Sequence, residues 1–311
     1  MIKVNTVLIL GAGASQPFGF PSGKKLVNRI CSVFSDSQRS EYSFMMQAGH
    51  PQPEVQAFRN VLYNANPASV DAWLEHNPQF ISIGKATIAL LLLAYEQKSD
   101  LRPETNWYEL LFQELDSPFE QFQQNKLKII TFNYDRSLEQ YLYTKLTNTY
   151  TEKTQEEYVE KLQAIPIIHV YGSLGLLDWQ PQYPKHYIPF VQYGAPSDYN
   201  TINSAATNIK IIPETEKIGT EFEKARRFIL DAAQVFFLGF GYDPTNLKRL
   251  GTEIDIFQKG KKVRGTIHKL KYSRIKEVES LGIPHFNGAH ANLLNKTIYE
   301  FLYNHVNFNV L

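Results

Sequence analysis

Val7-Leu8-Ile9-Leu10-Gly11-Ala12-Gly13-Ala14-Ser15 is the stretch that decides the fold. Its four apolar residues read as a buried parallel strand, because a strand covered on both faces shows a continuous apolar run. The glycines that follow at once read as a tight turn at the strand's carboxyl end. Glycine suits that place because a Cβ would hold the backbone away from a phosphate. A second glycine-bearing turn, Phe18-Gly19-Phe20-Pro21-Ser22-Gly23, leads into Lys24-Lys25-Leu26-Val27. The helix expected there would point its N-terminal N–H groups and its dipole at that phosphate. The spacing is not Gly-x-Gly-x-x-Gly, since Gln16 stands where the third glycine would be. A tight strand-to-helix turn with no ligand fits the same residues.

Outward from this turn the pattern changes. From about residue 32 to 124 there is no convincing strand. Residues 53–63, 69–75, 78–97 and 106–115 read as helices, with Ser69 or Asp71 available to cap the second. The strand–helix alternation then resumes. Strands are expected at 128–132, 166–171, 234–238, 263–268 and 283–286. Helices are expected at 137–146, 220–233, 244–257, 273–281 and 293–305. Residues 173–208, rich in Pro, Tyr, Gln and Asn, read as a long loop, and such loops often act as lids or partner surfaces. Apolar strands alternating with helices predict an α/β, Rossmann-like doubly wound parallel sheet. The expected organisation is one domain over 1–311, with a core of 1–31 and 126–311 and a helical insertion at about 32–125.

Composition narrows the function. A chain of 311 residues buries roughly 75% of its unfolded surface. The formal net charge is +1, so no global field favours nucleic acid or an anionic membrane, and no direct binding to either is expected. Cys31 is the single cysteine, which excludes an intramolecular disulfide and a cysteine-cluster zinc site. Met1 opens no basic-apolar-small leader. Ile88-Ala89-Leu90-Leu91-Leu92-Leu93-Ala94 is too short to span a bilayer and reads as buried helix. A soluble, cytoplasmic protein is expected.

In open parallel sheets the ligand lies outside the carboxyl ends of the strands. The unusual polar and glycine residues of this chain fall at such ends. Gly11 to Ser15 close the first strand, and Asn133-Tyr134-Asp135 close the second. His169 sits near the end of a third, and Gly239-Phe240-Gly241 close a fourth. Each also has a plainer reading. Asn133 and Asp135 suit a helix N-terminus. A lone strand histidine is commonly a satisfied core residue, and Gly239 and Gly241 suit a turn.

These stretches, with Thr131-Phe132-Asn133-Tyr134-Asp135, His169-Val170-Tyr171-Gly172 and Ser69-Val70-Asp71-Ala72-Trp73-Leu74, resemble in order and placement the motifs of the sirtuin superfamily. They are more like the bacterial sirtuin-like NAD-consuming domains of antiphage defence than the protein deacylases. The resemblance implies NAD as substrate, with its diphosphate at Gly11, Ala12, Gly13 and Ser15. It implies Asn133 and Asp135 facing the nicotinamide ribose and carboxamide. His169 would be the base, and Gly239 and Gly241 would stand in the family's Gly-Thr-Ser turn. Val170 and Tyr171 separate His169 from Gly172, where deacylases have His-Gly directly. The deacylases' four-cysteine zinc module is missing, so no metal is expected. The implied activity is an NAD+ glycohydrolase releasing nicotinamide and ADP-ribose, with Asn133 and His169 catalytic. Control would come from homo-oligomerisation or a partner such as a HerA-type ATPase or a short Argonaute. The alternative is a regulatory subunit that binds NAD or ADP-ribose without turnover. A Rossmann dehydrogenase is disfavoured, because the acidic residue expected about twenty positions past the glycines is missing.

Overall fold

The computed structural model describes residues 1–182, 187–211, 219–251, 261–270, 272–280 and 292–310. Its centre is a six-stranded sheet, parallel throughout. The strands are β1 (Thr6–Leu10), β2 (Leu127–Thr131), β3 (Ile167–His169), β4 (Gln234–Leu238), β5 (Lys262–Thr266) and β6 (Leu293–Leu294), in the order β3-β2-β1-β4-β5-β6. All five residues of β1 are buried, as are all five of β4. Helices cover both faces of such strands, which explains why they read as unbroken apolar runs. With helices flanking the sheet, this is a Rossmann-like doubly wound α/β fold. The strand order reverses between β1 and β4, so the crevice beyond their carboxyl ends is the place for a ligand.

The helices follow from local signals. α1 (Gly23–Val33) starts where Ser22 caps it, and it buries Leu26, Val27, Ile30 and Val33 along one stripe. Between α1 and β2 lie α2 (Ser40–Gln47), α3 (Gln52–Ala65), α4 (Val70–Glu75), α5 (Ile81–Lys98) and α6 (Trp107–Leu115). α5 carries the apolar run at 88–94 and is buried on nearly every side, which is why it lacks an amphipathic stripe. With the single 3-10 turn before it, the helical stretch Pro78–Lys98 is long and apolar enough to cross a membrane by composition. Of its most apolar 18-residue window, 56% is nevertheless packed inside the protein.

Beyond β2 run α7 (Ser137–Thr149), α8 (Gln155–Gln163), α9 (Tyr199–Asn208), α10 (Thr220–Asp231), α11 (Pro244–Leu250), α12 (Tyr272–Ser280) and α13 (Ile298–His305). Three sequence expectations need correction. The expected loop at 173–208 ends in α9, which Asp198 caps through the Thr201 N–H at 2.9 Å and which packs on α5 through Ile202 and Ala205. The expected closing helix at 293–305 begins instead as β6 and becomes helical only at Ile298, where Thr297 and Glu300 form a reciprocal capping box. Besides α9, α2 and α8 arise where no helix was expected. Of these, α8 carries its own capping box, Thr154 with Glu157. The expected strand at 283–286 and the end of the expected helix at 244–257 lie outside the described residues. Within them, α11 stops at Gly251, whose φ of 103° makes it a left-handed cap.

Candidate functional site

A cleft of about 440 Å³ opens at the carboxyl ends of the strands. Its floor is the β1 turn (Gly11, Ala12, Ser15) and the β2 end (Phe132, Asn133, Tyr134, Asp135). Phe240 and Gly241 after β4 and Tyr171 after β3 close it on the core side. Asp71 and Glu75 of α4 face them from the helical insertion, with Asn246 and Arg249 of α11 beside them. Among the residues singled out from the sequence, Gly11, Ala12, Ser15, Asn133, Asp135 and Gly241 line this cleft. Gly13, Gly239 and His169 are not among its lining residues.

The glycines of the β1 turn are required first by packing. A Cβ on Gly11 would stand 2.7 Å from the Gly239 carbonyl oxygen, and one on Gly13 would stand 2.7 Å from the same atom and 2.8 Å from the Gly239 Cα. Gly239 itself has φ +59°, and a Cβ there would meet the Ala14 nitrogen at 2.3 Å. Two N–H groups of the turn are spent on the same seam: Gly11 donates to Leu238 and Gly13 to Gly239. The two glycine turns are therefore one unit, locked from below by the Trp107 indole N–H, which donates to the Ala14 carbonyl at 2.8 Å. Helix α1 begins twelve residues beyond Gly11, yet Gly23 at its start also lines the cleft.

Asn133 ties this unit to β2. Its amide nitrogen donates to the Gly11 carbonyl at 3.1 Å and to Ser15 Oγ at 3.0 Å. A carbonyl can only accept, so the orientation of the amide is fixed. Both amide hydrogens are used, and Oδ1 has no protein partner among the described residues. Asp135 is buried and accepts from the backbone N–H and the hydroxyl of Ser137, whose Oγ also meets Tyr108 Oη at 2.8 Å. Burial pushes the Asp135 carboxyl above its usual range, against the hydrogen bonds from Ser137 and Ser15 that pull it down. Asp135 is thus a cleft residue and the N-terminal anchor of α7 at once.

His169 has both ring nitrogens engaged. Nδ1 lies 2.7 Å from the Asn133 carbonyl oxygen and Nε2 lies 2.5 Å from a carboxylate oxygen of Glu139 on α7. The Asn133 carbonyl can only accept, so Nδ1 carries a proton, and Nε2 shares a proton with the Glu139 carboxyl. Burial alone would lower its pKa, but the Glu139 carboxylate and the Asn133 carbonyl outweigh it and the net direction is upward. An imidazole engaged through both nitrogens offers neither of them to a substrate in the cleft.

The opposite wall was not legible as a site. Ser69 caps α4 through the Ala72 N–H at 3.3 Å, leaving Asp71 to face the cleft. Burial lifts the Asp71 carboxyl to about 6, helped by the like charges of Glu75 and Asp243. Glu75 itself is clasped by Arg249 at 2.8 and 3.1 Å, and Arg249 donates to Tyr171 Oη, which donates on to Asn246. Burial pushes Tyr171 above its ordinary range. Tyr134, 6% exposed, has a buried hydroxyl with no hydrogen-bond partner among the described residues. The Ser69-to-Leu74 segment was the one sequence signal for this wall, and its spacing indicated only a capped helix.

Compared with known proteins, the chain matches no protein-family model and no curated protein sequence.

Proposed function

We propose that this chain is a sirtuin-like NAD+ glycohydrolase that cleaves NAD to nicotinamide and ADP-ribose, acting as a regulated NAD-depleting effector in antiviral defence. The observation that carries the reading is Asn133. Its amide is fixed by the Gly11 carbonyl and Ser15 Oγ, and its free Oδ1 lies in a cleft at the crevice where the strand order reverses. An acceptor held there can orient a ribose hydroxyl or a water. Ala12, Ser15 and the start of α1 at Gly23 offer the diphosphate its place.

Cleavage of the C1′–N bond sends both bonding electrons to the nicotinamide ring nitrogen, which leaves neutral, while positive charge builds on the ribose. Asp135, Asp71 and Glu75 in the cleft wall suit that charge. A partner protein, such as a HerA-type ATPase or a short Argonaute, or self-association would hold the activity off until triggered. Purified protein incubated with NAD, with products resolved by chromatography in the presence and absence of candidate partners, tests the reading. Release of nicotinamide and ADP-ribose supports it, and intact NAD under every condition overturns it.

One observation favours a second reading. His169, the base that the family resemblance implies, is held by Asn133 and Glu139 through both nitrogens. A subunit that binds NAD or ADP-ribose without turnover needs no free base. Calorimetric binding of NAD without product formation would select it.

A further inference from the structure

With His169 committed to two acceptors, a hydrolytic cleft needs its base elsewhere. Asp71 answers to that role by place. It lines the same cleft as Asn133, on the facing wall supplied by α4. It makes no ion pair among the described residues, and Arg249, one of the two arginines lining the cleft, is clasped to Glu75. Its carboxyl feels a local side-chain hydrogen bond from Ser69.

A second observation points to a ligand at this place. Tyr134 follows Asn133 in the chain and is 6% exposed, and its hydroxyl has no partner among the described residues. That hydroxyl feels the charges of Asp71 and Glu75 and the phenol of Tyr171, all three of them cleft residues. A buried hydroxyl without a partner costs about 1–3 kcal/mol, and a bound polar ligand would recover that cost.

We propose that Asp71 is the general base of this cleft and that Tyr134 Oη is the donor that orients the ribose. This rests on the glycohydrolase reading. As the C1′–N bond breaks and nicotinamide departs with the electron pair, the water oxygen bonds to C1′. The Asp71 carboxylate takes one proton from that water and later returns it to solvent, while the Tyr134 hydroxyl donates to a ribose hydroxyl. Water, NAD and the released proton balance the step, and no further reactant enters. Burial and the neighbouring carboxylates of Glu75 and Asp243 raise the proton affinity of Asp71, which strengthens it as a base near neutral pH. The other titratable or charged groups around it are Tyr134 and Tyr171, with Arg249 behind Glu75, and His76 and Arg274, which line the same cleft.

The test compares wild type, Asp71→Asn, Asp71→Ala and Tyr134→Phe for NAD cleavage between pH 4.5 and 8.5, with NAD affinity measured by calorimetry. Wild-type kcat/KM should fall on the acid side of a limb near pH 6. Asp71→Asn should lose about 10²–10⁴-fold in rate and lose that limb while still binding NAD. Asp71→Ala should recover activity with added azide, which attacks C1′ without needing a base. Tyr134→Phe should lose about tenfold and remain folded, since only an unpaired hydroxyl is removed. If Asp71→Asn cleaves like wild type with the same limb, Asp71 is not the base and the glycohydrolase reading stands without it. If Asp71→Asn loses NAD affinity as steeply as rate, Asp71 is a binding group and the proposal fails. If wild type releases no nicotinamide, both readings fall together.

Discussion

The Nδ1–H of His169 donates to the backbone carbonyl of Asn133 at 2.7 Å. The two residues singled out from the sequence as a chemical pair are therefore joined through Asn133's main chain, and the imidazole acts on the cleft through the position of Asn133. Glu139, at 2.5 Å from the other ring nitrogen, completes a buried chain from α7 through β3 to the end of β2. Both side chains are well shielded, His169 at 12% and Glu139 at 6% exposure.

That chain makes His169 a stability residue. Removing one partner of a buried charge pair leaves the other uncompensated, which typically costs about 3–5 kcal/mol. His169→Ala should therefore lower the thermal midpoint steeply, and His169→Gln with Glu139→Gln together should recover much of the loss. The pH dependence has a definite sign. A histidine whose pKa is raised by folding contributes stability that is fully present below its unfolded value of 6.5 and is lost as pH rises through its folded value. Wild type should thus lose stability above pH 6.5 by an increment absent from the double variant. Thermal melts of the three proteins across pH 6 to 9 check this. A His169→Ala protein as stable as wild type would remove His169 from the structural chain.

Gly13 and Gly239 should behave as a packing pair. A single Cβ at either meets backbone of the other turn below 3 Å, so Gly13→Ala and Gly239→Ala should each destabilise the fold, with Gly239→Ala also paying for a φ of +59°. Urea unfolding should show losses of roughly 1–3 kcal/mol for each. Gly241→Ala is the control, because no atom lies within 4 Å of a Cβ there. If Gly13→Ala unfolds at the same urea concentration as Gly241→Ala, the seam between the two turns tolerates the added atom and phosphate approach becomes the better account of Gly13.

The sheet was legible because its central strands are buried on both faces. Thr6–Leu10 and Gln234–Leu238 announce themselves as apolar runs ended by glycine. β6 was not legible, because two residues carry no periodicity. α9 was hidden by a Thr-, Asn- and Ala-rich composition, and its stability comes from the Asp198 cap and from α5. In the site, the strand-end position of Asn133 could be read directly. The engagement of His169 could not, because Glu139 lies thirty residues away in sequence. Nor could the nearness of Asp71 to Tyr134, whose hydroxyl feels the Asp71 charge only because the fold brings α4 to the end of β2. Local pattern gives strand ends, and long-range contacts decide which side chains there are free.

Arg136, next to Asp135, should hold the segment before α9 in place. It is 1% exposed and grips Glu96 of α5 through two nitrogens, while donating to the Val191 and Gln192 carbonyls. The Glu96 carboxylate also accepts from the Gly194 N–H. Burial raises the Glu96 carboxyl, opposed by the Arg136 charge. Arg136→Met removes the charge and both carbonyl contacts while keeping most of the volume. It should cost about 3–5 kcal/mol and speed proteolytic nicking near residues 187–198 well beyond that of wild type. Limited proteolysis followed by mass spectrometry reads the cut sites. Wild-type nicking rates in a folded Arg136→Met would show that other contacts hold the segment.

Asp71 should cost the protein stability at the pH where it is proposed to work. Its folded-state pKa, about 6, stands above the ordinary 3.8, with burial the leading cause and Glu75 and Asp243 adding to it. The folded state therefore binds the Asp71 proton more tightly than the unfolded chain does. Stability from this group is greatest below pH 3.8 and falls as pH rises through about 6. The difference between 3.8 and about 6 corresponds to no more than roughly 3 kcal/mol, less what solvent at the cleft screens. Asp71→Asn removes the charge and keeps the shape, so it should raise the thermal midpoint at pH 7.5, by a few degrees for a chain of this length. Below pH 4 the advantage should vanish, because wild type then carries a neutral carboxyl as well. Calorimetric scans of both proteins at pH 3.8 and 7.5 give the comparison. Should Asp71→Asn be less stable than wild type at pH 7.5, the carboxylate is serving the first turn of α4 through the helix dipole, and its burial in the cleft is not a cost.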